Sequence, residues 1–382
     1  MTPRISICLL FATLTLTGCG GGGGGSDPAT RLAPSGTVVD LGRSLFFDTA
    51  LSEPAGQACA SCHDPAAGFA DPDVDSSHPV SAGAVSGRFG NRNAPTASYA
   101  ALTPDFAYDA AATNKYSGGQ FLDGRASDLT EQAKGPLLNP LEMANADKAA
   151  VVAKVRSASY ATLFEEIYGA GALNDVNSAF DRIAAAIAAF ERSEAFSPFS
   201  SKFDYVLAGQ ASFSAAEQRG FDLFKGRGMC TECHKLEPAA RPLFTDFTYR
   251  NIGVPPNPDN PVYASDPGFV DLGLGFNPAL SSSAALENGK FRVPTLRNSA
   301  LTAPYMHNGV LQTLEQVVNF YNTRDTRRCL DVGGTPLVDC WPAPEVDNAN
   351  VNTSQVGDLL LSAADEADIV AFLRTLSDGY SP

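Results

Sequence analysis

Cys59-Ala60-Ser61-Cys62-His63 and its second copy, Cys230-Thr231-Glu232-Cys233-His234, decide how this chain is read. C-x-x-C-H is the attachment pattern for a c-type haem. Two thiols add across the porphyrin's vinyl groups, and the adjacent histidine comes beneath the iron as its proximal ligand. A lone copy would also suit a zinc half-site or a redox dithiol that precedes a histidine. Two copies in a chain that opens with an export signal, and without thioredoxin-like context, select haem. The sequence thus specifies two c-type haems, bonded through Cys59, Cys62, Cys230 and Cys233, with His63 and His234 as axial ligands. What closes the opposite face of each iron sets the chemistry.

Working outward, 382 residues leave room for two domains with their own cores. A formal charge of −15 argues against nucleic acid and against an anionic membrane surface. It favours a partner that offers a basic patch, or a small neutral reactant. Thirty-four Gly and 26 Pro promise long loops, as needed to wrap buried cofactors. Arg4 precedes an apolar run over 5–16, too short to span a membrane but suited to a signal peptide over 1–18. The run ends in Leu16-Thr17-Gly18-Cys19, which resembles a bacterial lipobox, so Cys19 is expected to carry lipid. A flexible tether follows over 19–35. No aspartate follows Cys19, which by the lipoprotein sorting habit implies the outer membrane. The expectation is a lipid-anchored protein on the periplasmic side of the envelope or at the cell surface, touching membrane only through that anchor. Cys329 and Cys340 are then left over, and an oxidising compartment favours a disulfide between them, with a surface metal site as the alternative.

The chain reads as two related halves. Each has a helical segment leading into C-x-x-C-H, a long loop region and a closing helix. In the first half 38–47 leads in, and 177–193 closes with apolar residues at Phe180, Ile183, Ala184, Ile187 and Phe190, a helical period. In the second, 214–225 opens with Ser214 and Glu217 as a capping box, and the last helix starts near Ser362. Alternating β-branched runs are few. The predicted fold is mainly α, two cytochrome c-like haem domains packed together over 36–205 and 206–382, with the boundary within 200–209.

With both motifs placed, the flanking residues resemble the bacterial dihaem cytochrome c peroxidase and MauG family from about Leu41 to Leu376. The resemblance is carried by Leu41-Gly42-Arg43-Ser44-Leu45-Phe46-Phe47-Asp48, Cys62-His63-Asp64-Pro65, Arg92-Asn93-Ala94-Pro95-Thr96, Asp123-Gly124-Arg125 and Asn139-Pro140-Leu141-Glu142-Met143. Later come Phe291-Arg292-Val293-Pro294-Thr295-Leu296-Arg297-Asn298 and Ala303-Pro304-Tyr305-Met306-His307-Asn308-Gly309. It implies that the N-terminal haem reacts with hydrogen peroxide while the C-terminal haem stores or relays electrons. Gln132 and Glu142 carry over as the distal pair. Peroxide must lose one proton to bind iron and regain one on its departing oxygen, which one carboxylate can manage in an apolar pocket. Glutamine orients peroxide without competing for the proton. The resemblance also implies calcium held by Asn93 and the carbonyls of Thr302 and Pro304, a hard cation on oxygen donors.

Fourteen positions after His307 stands Tyr321, where dihaem peroxidases usually carry methionine and MauG-type proteins tyrosine. A phenolate stabilises ferric and higher iron, whereas a thioether favours ferrous. Tyr321 is therefore expected to ligate the second haem, with Met306 as the alternative. Two positions depart from the family pattern. Leu122 replaces the tryptophan that usually precedes Asp-Gly-Arg between the haems, and Trp341, the sole tryptophan, is expected to pack rather than relay. His78, in an acidic loop, is the candidate distal ligand of a peroxidase-type N-terminal haem; His307 is assigned to hydrogen bonding near the haems. The functional expectation is MauG-like oxidation of a partner protein driven by peroxide. The alternative is a cytochrome c peroxidase fed by a small redox protein, and a non-enzymatic electron carrier is a third reading.

Overall fold

The computed structural model describes residues 35–111, 113–280, 284–329 and 340–382; the predicted signal, Cys19 and the tether up to residue 34 lie outside them. The two halves repeat one helical device. Helix α1 (Val38–Phe46) starts at a capping box in which Thr37 and Asp40 satisfy each other's backbone N–H groups. The motif helix α2 (Cys59–Cys62) follows. After a hairpin of β1 (Ala107–Asp109) and β2 (Lys115–Ser117) come α3 (Leu129–Leu138), α4 (Lys148–Ser157), α5 (Ala161–Tyr168) and the long α6 (Val176–Glu191). The second half has α7 (Lys202–Leu207), α8 (Ala215–Lys225), β3 (Tyr249–Arg250), α9 (Val262–Ser265), β4 (Phe291–Arg292), α10 (Leu314–Thr323) and α11 (Ala363–Arg374). Ser214 with Glu217, and Ser362 with Asp365, form the capping boxes of α8 and α11. Strand among the described residues is confined to two short antiparallel pairs, Ala107↔Ser117 to Asp109↔Lys115 and Tyr249↔Arg292 to Arg250↔Phe291. The fold is mainly α. No described helix is long and apolar enough to cross a membrane.

In each half the helix that leads into the motif packs on the closing helix through a glycine. A Cβ on Gly42 of α1 would sit 1.9 Å from the Ala186 carbonyl oxygen of α6. A Cβ on Gly220 of α8 would sit 1.9 Å from the Asp368 carbonyl oxygen of α11. Backbone cannot yield as a flexible side chain does, so Gly42→Ala and Gly220→Ala should each cost about 1–3 kcal/mol by overpacking. The urea midpoint of the holoprotein checks this, and an unchanged midpoint would contradict the close packing.

Two large hydrophobic cores result, beside a smaller cluster of Tyr249, Leu274 and Leu280. One gathers Leu41, Leu45, Phe46, Phe180, Ile183, Ile187 and Phe196; the other Phe203, Phe224, Phe244, Ile369, Phe372 and Leu376. The changeover falls between Phe196 and Phe203, overlapping the 200–209 stretch. The 200–209 stretch is no linker: Ser201 and Asp204 form the capping box of α7, which plants Phe203 in the second core. Arg297 is fully buried there, with both carboxylate oxygens of Asp204 at 2.6 and 2.9 Å and the ring of Phe199 4.9 Å from its guanidinium carbon. The halves are tied by Tyr99, whose hydroxyl donates to Asp378, and by Arg92, which bridges Asp123 and Asp271.

Candidate functional site

Each motif histidine is held the same way. His63 Nδ1 lies 3.2 Å from the Phe69 carbonyl oxygen, and His234 Nδ1 lies 2.7 Å from that of Phe244. Both phenylalanines adopt left-handed backbone conformations, with φ of 60° and 55°, which turn their carbonyls onto the rings. A ring that donates from Nδ1 keeps the Nε2 lone pair for a metal. Burial lowers the pKa of both histidines, which favours the neutral, ligating form. Cys59, Cys62, Cys230 and Cys233 are unpaired and partly buried, whereas Cys329 and Cys340 are joined as a disulfide. Burial above all pushes the thiols of Cys62 and Cys230 up to about 12, the reverse of the activated thiol that a redox dithiol needs. Among the described residues no group of three or more His, Cys, Asp or Glu side chains is arranged to hold a metal ion. Thiols, a neutral imidazole and an adjoining apolar cavity suit a covalently attached haem.

That cavity opens beside Cys230, Cys233 and His234. Tyr321 and Met306 both line it, as do Leu122, Asn93, Thr302 and Pro304. Tyr321 projects from α10, within electrostatic reach of Cys230 and Cys233, and burial raises its phenol pKa. The chain itself does not ionise Tyr321; a ferric iron beside it would. Asn93 is buried and its Nδ2 donates to the Pro304 carbonyl oxygen at 2.5 Å. His307 is buried, stacks on Phe291 with centroids 3.8 Å apart, and has Nε2 3.4 Å from Glu345.

Gln132 sits half-buried on α3, and Glu142 in the turn beyond that helix. The Glu142 N–H donates to Asn139, and its carbonyl accepts from Ala84. The 81–90 loop comes this close because Gly83 is bare; a Cβ there would lie 2.5 Å from the Leu141 carbonyl oxygen. Glu142 acts electrostatically on both Cys59 and Cys62, which places it at the N-terminal motif. Burial raises its carboxyl pKa, partly opposed by Arg125 and by a hydrogen bond to Asn139. Arg125 itself pairs with Asp123 and lies 3.6 Å over the Phe121 ring. Phe121 meets α3 at Gly135, whereas its neighbour Leu122 lines the other cavity, so this pair stands between the two motifs.

His78 is not brought to this site. It is exposed, and its ring bonds Ser77 and faces Asp75 within its own acidic loop. Glu191, by contrast, was not singled out and is placed there. It lies on the apolar face of α6, 6% exposed, and acts electrostatically on Cys59. The signal was a charged residue four positions after Ile187 in an apolar helical stripe. Burial raises its pKa from 4.5 to about 8. The folded chain therefore binds a proton that the unfolded chain has lost, and stability falls as pH rises from 4.5 towards 8. Glu191→Gln should melt above the parent at about pH 8 and level with it at about pH 4; a pH-independent gap would show that burial does not govern this carboxyl.

The geometry agrees with the comparisons. Residues 37–212 match the family described as Di-haem cytochrome c peroxidase. The chain is 44% identical to the methylamine utilization protein MauG of Paracoccus denitrificans, covering 90% of this chain and 89% of that protein. It is 33% identical to the cytochrome c551 peroxidase of Nitrosomonas europaea, over 76% of this chain and 75% of that one. The crystal structure of the diheme peroxidase BthA from Burkholderia thailandensis superposes with a TM-score of 0.81 at 35% identity, covering 93% of this chain and 89% of that chain. The chain belongs to the dihaem cytochrome c peroxidase and MauG family. It is a haem-dependent oxidoreductase that carries two c-type haems and acts on hydrogen peroxide.

Proposed function

We propose that this enzyme uses hydrogen peroxide to oxidise a partner protein by long-range electron transfer, without first being reduced. The observation that carries this reading is Tyr321, a phenol on α10 lining the cavity beside Cys230, Cys233 and His234 and within electrostatic reach of both cysteines. Cys59, Cys62 and His63 hold the N-terminal haem, and Cys230, Cys233, His234 and Tyr321 the C-terminal one. The haems, when bound, would supply the redox chemistry, the capacity to take up two oxidising equivalents from peroxide. The chain's own work is protonic and positional. The Glu142 carboxylate takes the proton from the peroxide oxygen that binds and returns it to the oxygen that leaves. Its raised pKa suits both halves of that transfer. Gln132 orients peroxide through its amide.

Calcium belongs to the same reading. Turning the Asn93 amide would present Oδ1 beside the carbonyls of Thr302 and Pro304. So does an exported enzyme tethered through lipid on Cys19 on the periplasmic face of the outer membrane or at the cell surface, where the Cys329–Cys340 disulfide would persist. The two cores support an N-terminal peroxide-reactive domain and a C-terminal electron-transfer domain. The likeness to a cytochrome c551 peroxidase supports a second reading, reduction of peroxide with electrons from a small redox protein.

Magnetic circular dichroism and resonance Raman spectra of the fully oxidised holoprotein test the first reading. A phenolate-to-iron transition that Tyr321→Phe abolishes is expected. Thioether ligation of the second haem, lost in Met306→Leu, would overturn it in favour of the second.

A further inference from the structure

Tyr321 has an aromatic neighbourhood that continues outward. It adjoins Phe320, with ring centroids 6.2 Å apart, and Phe320 meets Trp341 edge-on at 5.2 Å. Trp341 is partly exposed. Sequence alone puts it twenty positions from Tyr321, yet the fold lays it against the same helix, α10. Three features fix it there. Its Nε1–H donates to Thr323 Oγ1 at 2.9 Å, its backbone pairs with Arg327 and Cys329, and the adjoining Cys340 is disulfide-bonded to Cys329. This is more anchoring than a surface ring needs for packing alone, and it keeps one ring-to-ring path from the second haem site at a fixed length.

We infer that Trp341 is the relay through which electrons from the partner protein enter this enzyme. The inference rests on the reading that peroxide delivers two oxidising equivalents to the fully oxidised protein. Tryptophan is among the most easily oxidised side chains, and a bound N–H lets its radical cation form without moving a proton. In each of two identical steps, Trp341 gives one electron inward past Phe320 towards the Tyr321 end. It regains one from a tyrosine or tryptophan of the partner. Two such electrons, with two protons, balance the reduction of one peroxide to two waters. The surroundings also describe the partner's surface. Arg327 and Arg328 are exposed beside Trp341, although the chain as a whole carries −15. Arg328 is partly answered by Asp325 at 2.7 Å. A partner whose oxidisable ring is flanked by carboxylates matches this patch better than the acidic remainder of the surface.

The test uses the full-length protein with both haems attached, fully oxidised, and given peroxide with no donor present. With no partner, the relay itself should be consumed. Peptide mass spectrometry is expected to find oxygen added to Trp341, and freeze-quench electron paramagnetic resonance an indole radical. Trp341→Phe should lose both, and Trp341→Tyr, which restores an oxidisable ring, should give a phenoxyl signal instead. An unmodified Trp341, or the same radical in Trp341→Phe, would overturn the relay while leaving the peroxide chemistry standing. Peroxide left unconsumed by the unmodified protein would overturn the underlying reading, and the relay with it.

Discussion

Glu142→Gln should slow the reaction of the fully oxidised holoprotein with peroxide by about 10²- to 10⁴-fold, the usual worth of a positioned acid–base group. The substitution keeps the shape and removes only the proton-accepting oxygen. Haem attachment should be unaffected, because Cys59, Cys62 and His63 are held by α2 and by the Phe69 carbonyl and not by this side chain. The pH profile is the sharper check. Burial raises the Glu142 carboxyl above its ordinary 4.5, so the carboxylate that takes peroxide's first proton becomes available only at higher pH than an exposed glutamate would allow. The parent rate should therefore fall as pH drops through that raised pKa, while Glu142→Gln shows a flat profile. Arg125 opposes the shift, so Arg125→Ala should move the fall to higher pH. Stopped-flow rates over a pH series read all three. A parent-like pH profile in Glu142→Gln would assign the proton transfer elsewhere, and Glu191 and Asp71 are the other buried carboxyls near the motif.

Tyr321→Met should reverse the redox preference of the second haem. Replacing a hard anionic oxygen with a thioether stabilises ferrous iron, and axial ligands set haem potentials over a range of about 0.8 V. An upward shift on the order of a few hundred mV is expected in a potentiometric titration. The consequence for function is larger than the number. With the storage site easy to reduce and hard to oxidise further, the fully oxidised variant should not hold the second oxidising equivalent. It should react productively only after one-electron reduction, as the peroxidase reading requires. Phe320, Val318 and Leu314 on α10 are buried and keep the helix in place, so the substitution tests the ligand and not the fold. A variant that keeps the parent's potential and its peroxide reaction would show that Tyr321 does not reach the iron.

Much of this was legible before any fold was known, because covalent haem attachment requires a local pattern of five residues that survives in sequence. The capping box at Ser214 and the helix start near Ser362 were likewise local, as was the helical stripe from Phe180 to Phe190. What sequence could not supply were contacts between distant segments. The carbonyls of Phe69 and Phe244 orient the histidines through backbone turns of no sequence signature. Arg125 acts on Glu142 from 17 positions away, and Trp341, beside the disulfide-bonded Cys340, meets Phe320 from 21 positions away. Which core each side chain of the boundary stretch joins was also not local: Ser201 and Asp204 cap a helix there that plants Phe203 in the second core. His78 illustrates the opposite case: the family resemblance offered it as a distal ligand, whereas in this structure its ring is exposed beside Ser77 and Asp75.

The decisive measurement is the optical and electron paramagnetic resonance spectrum of the fully oxidised holoprotein before and after one equivalent of peroxide, with no donor. A high-spin haem beside a low-spin one is expected at the start. One equivalent should then be consumed, and the oxidising equivalents should persist long enough to be spent on a partner. Two low-spin haems that ignore peroxide until one is reduced would contradict partner oxidation from the oxidised enzyme and establish the conventional peroxidase instead.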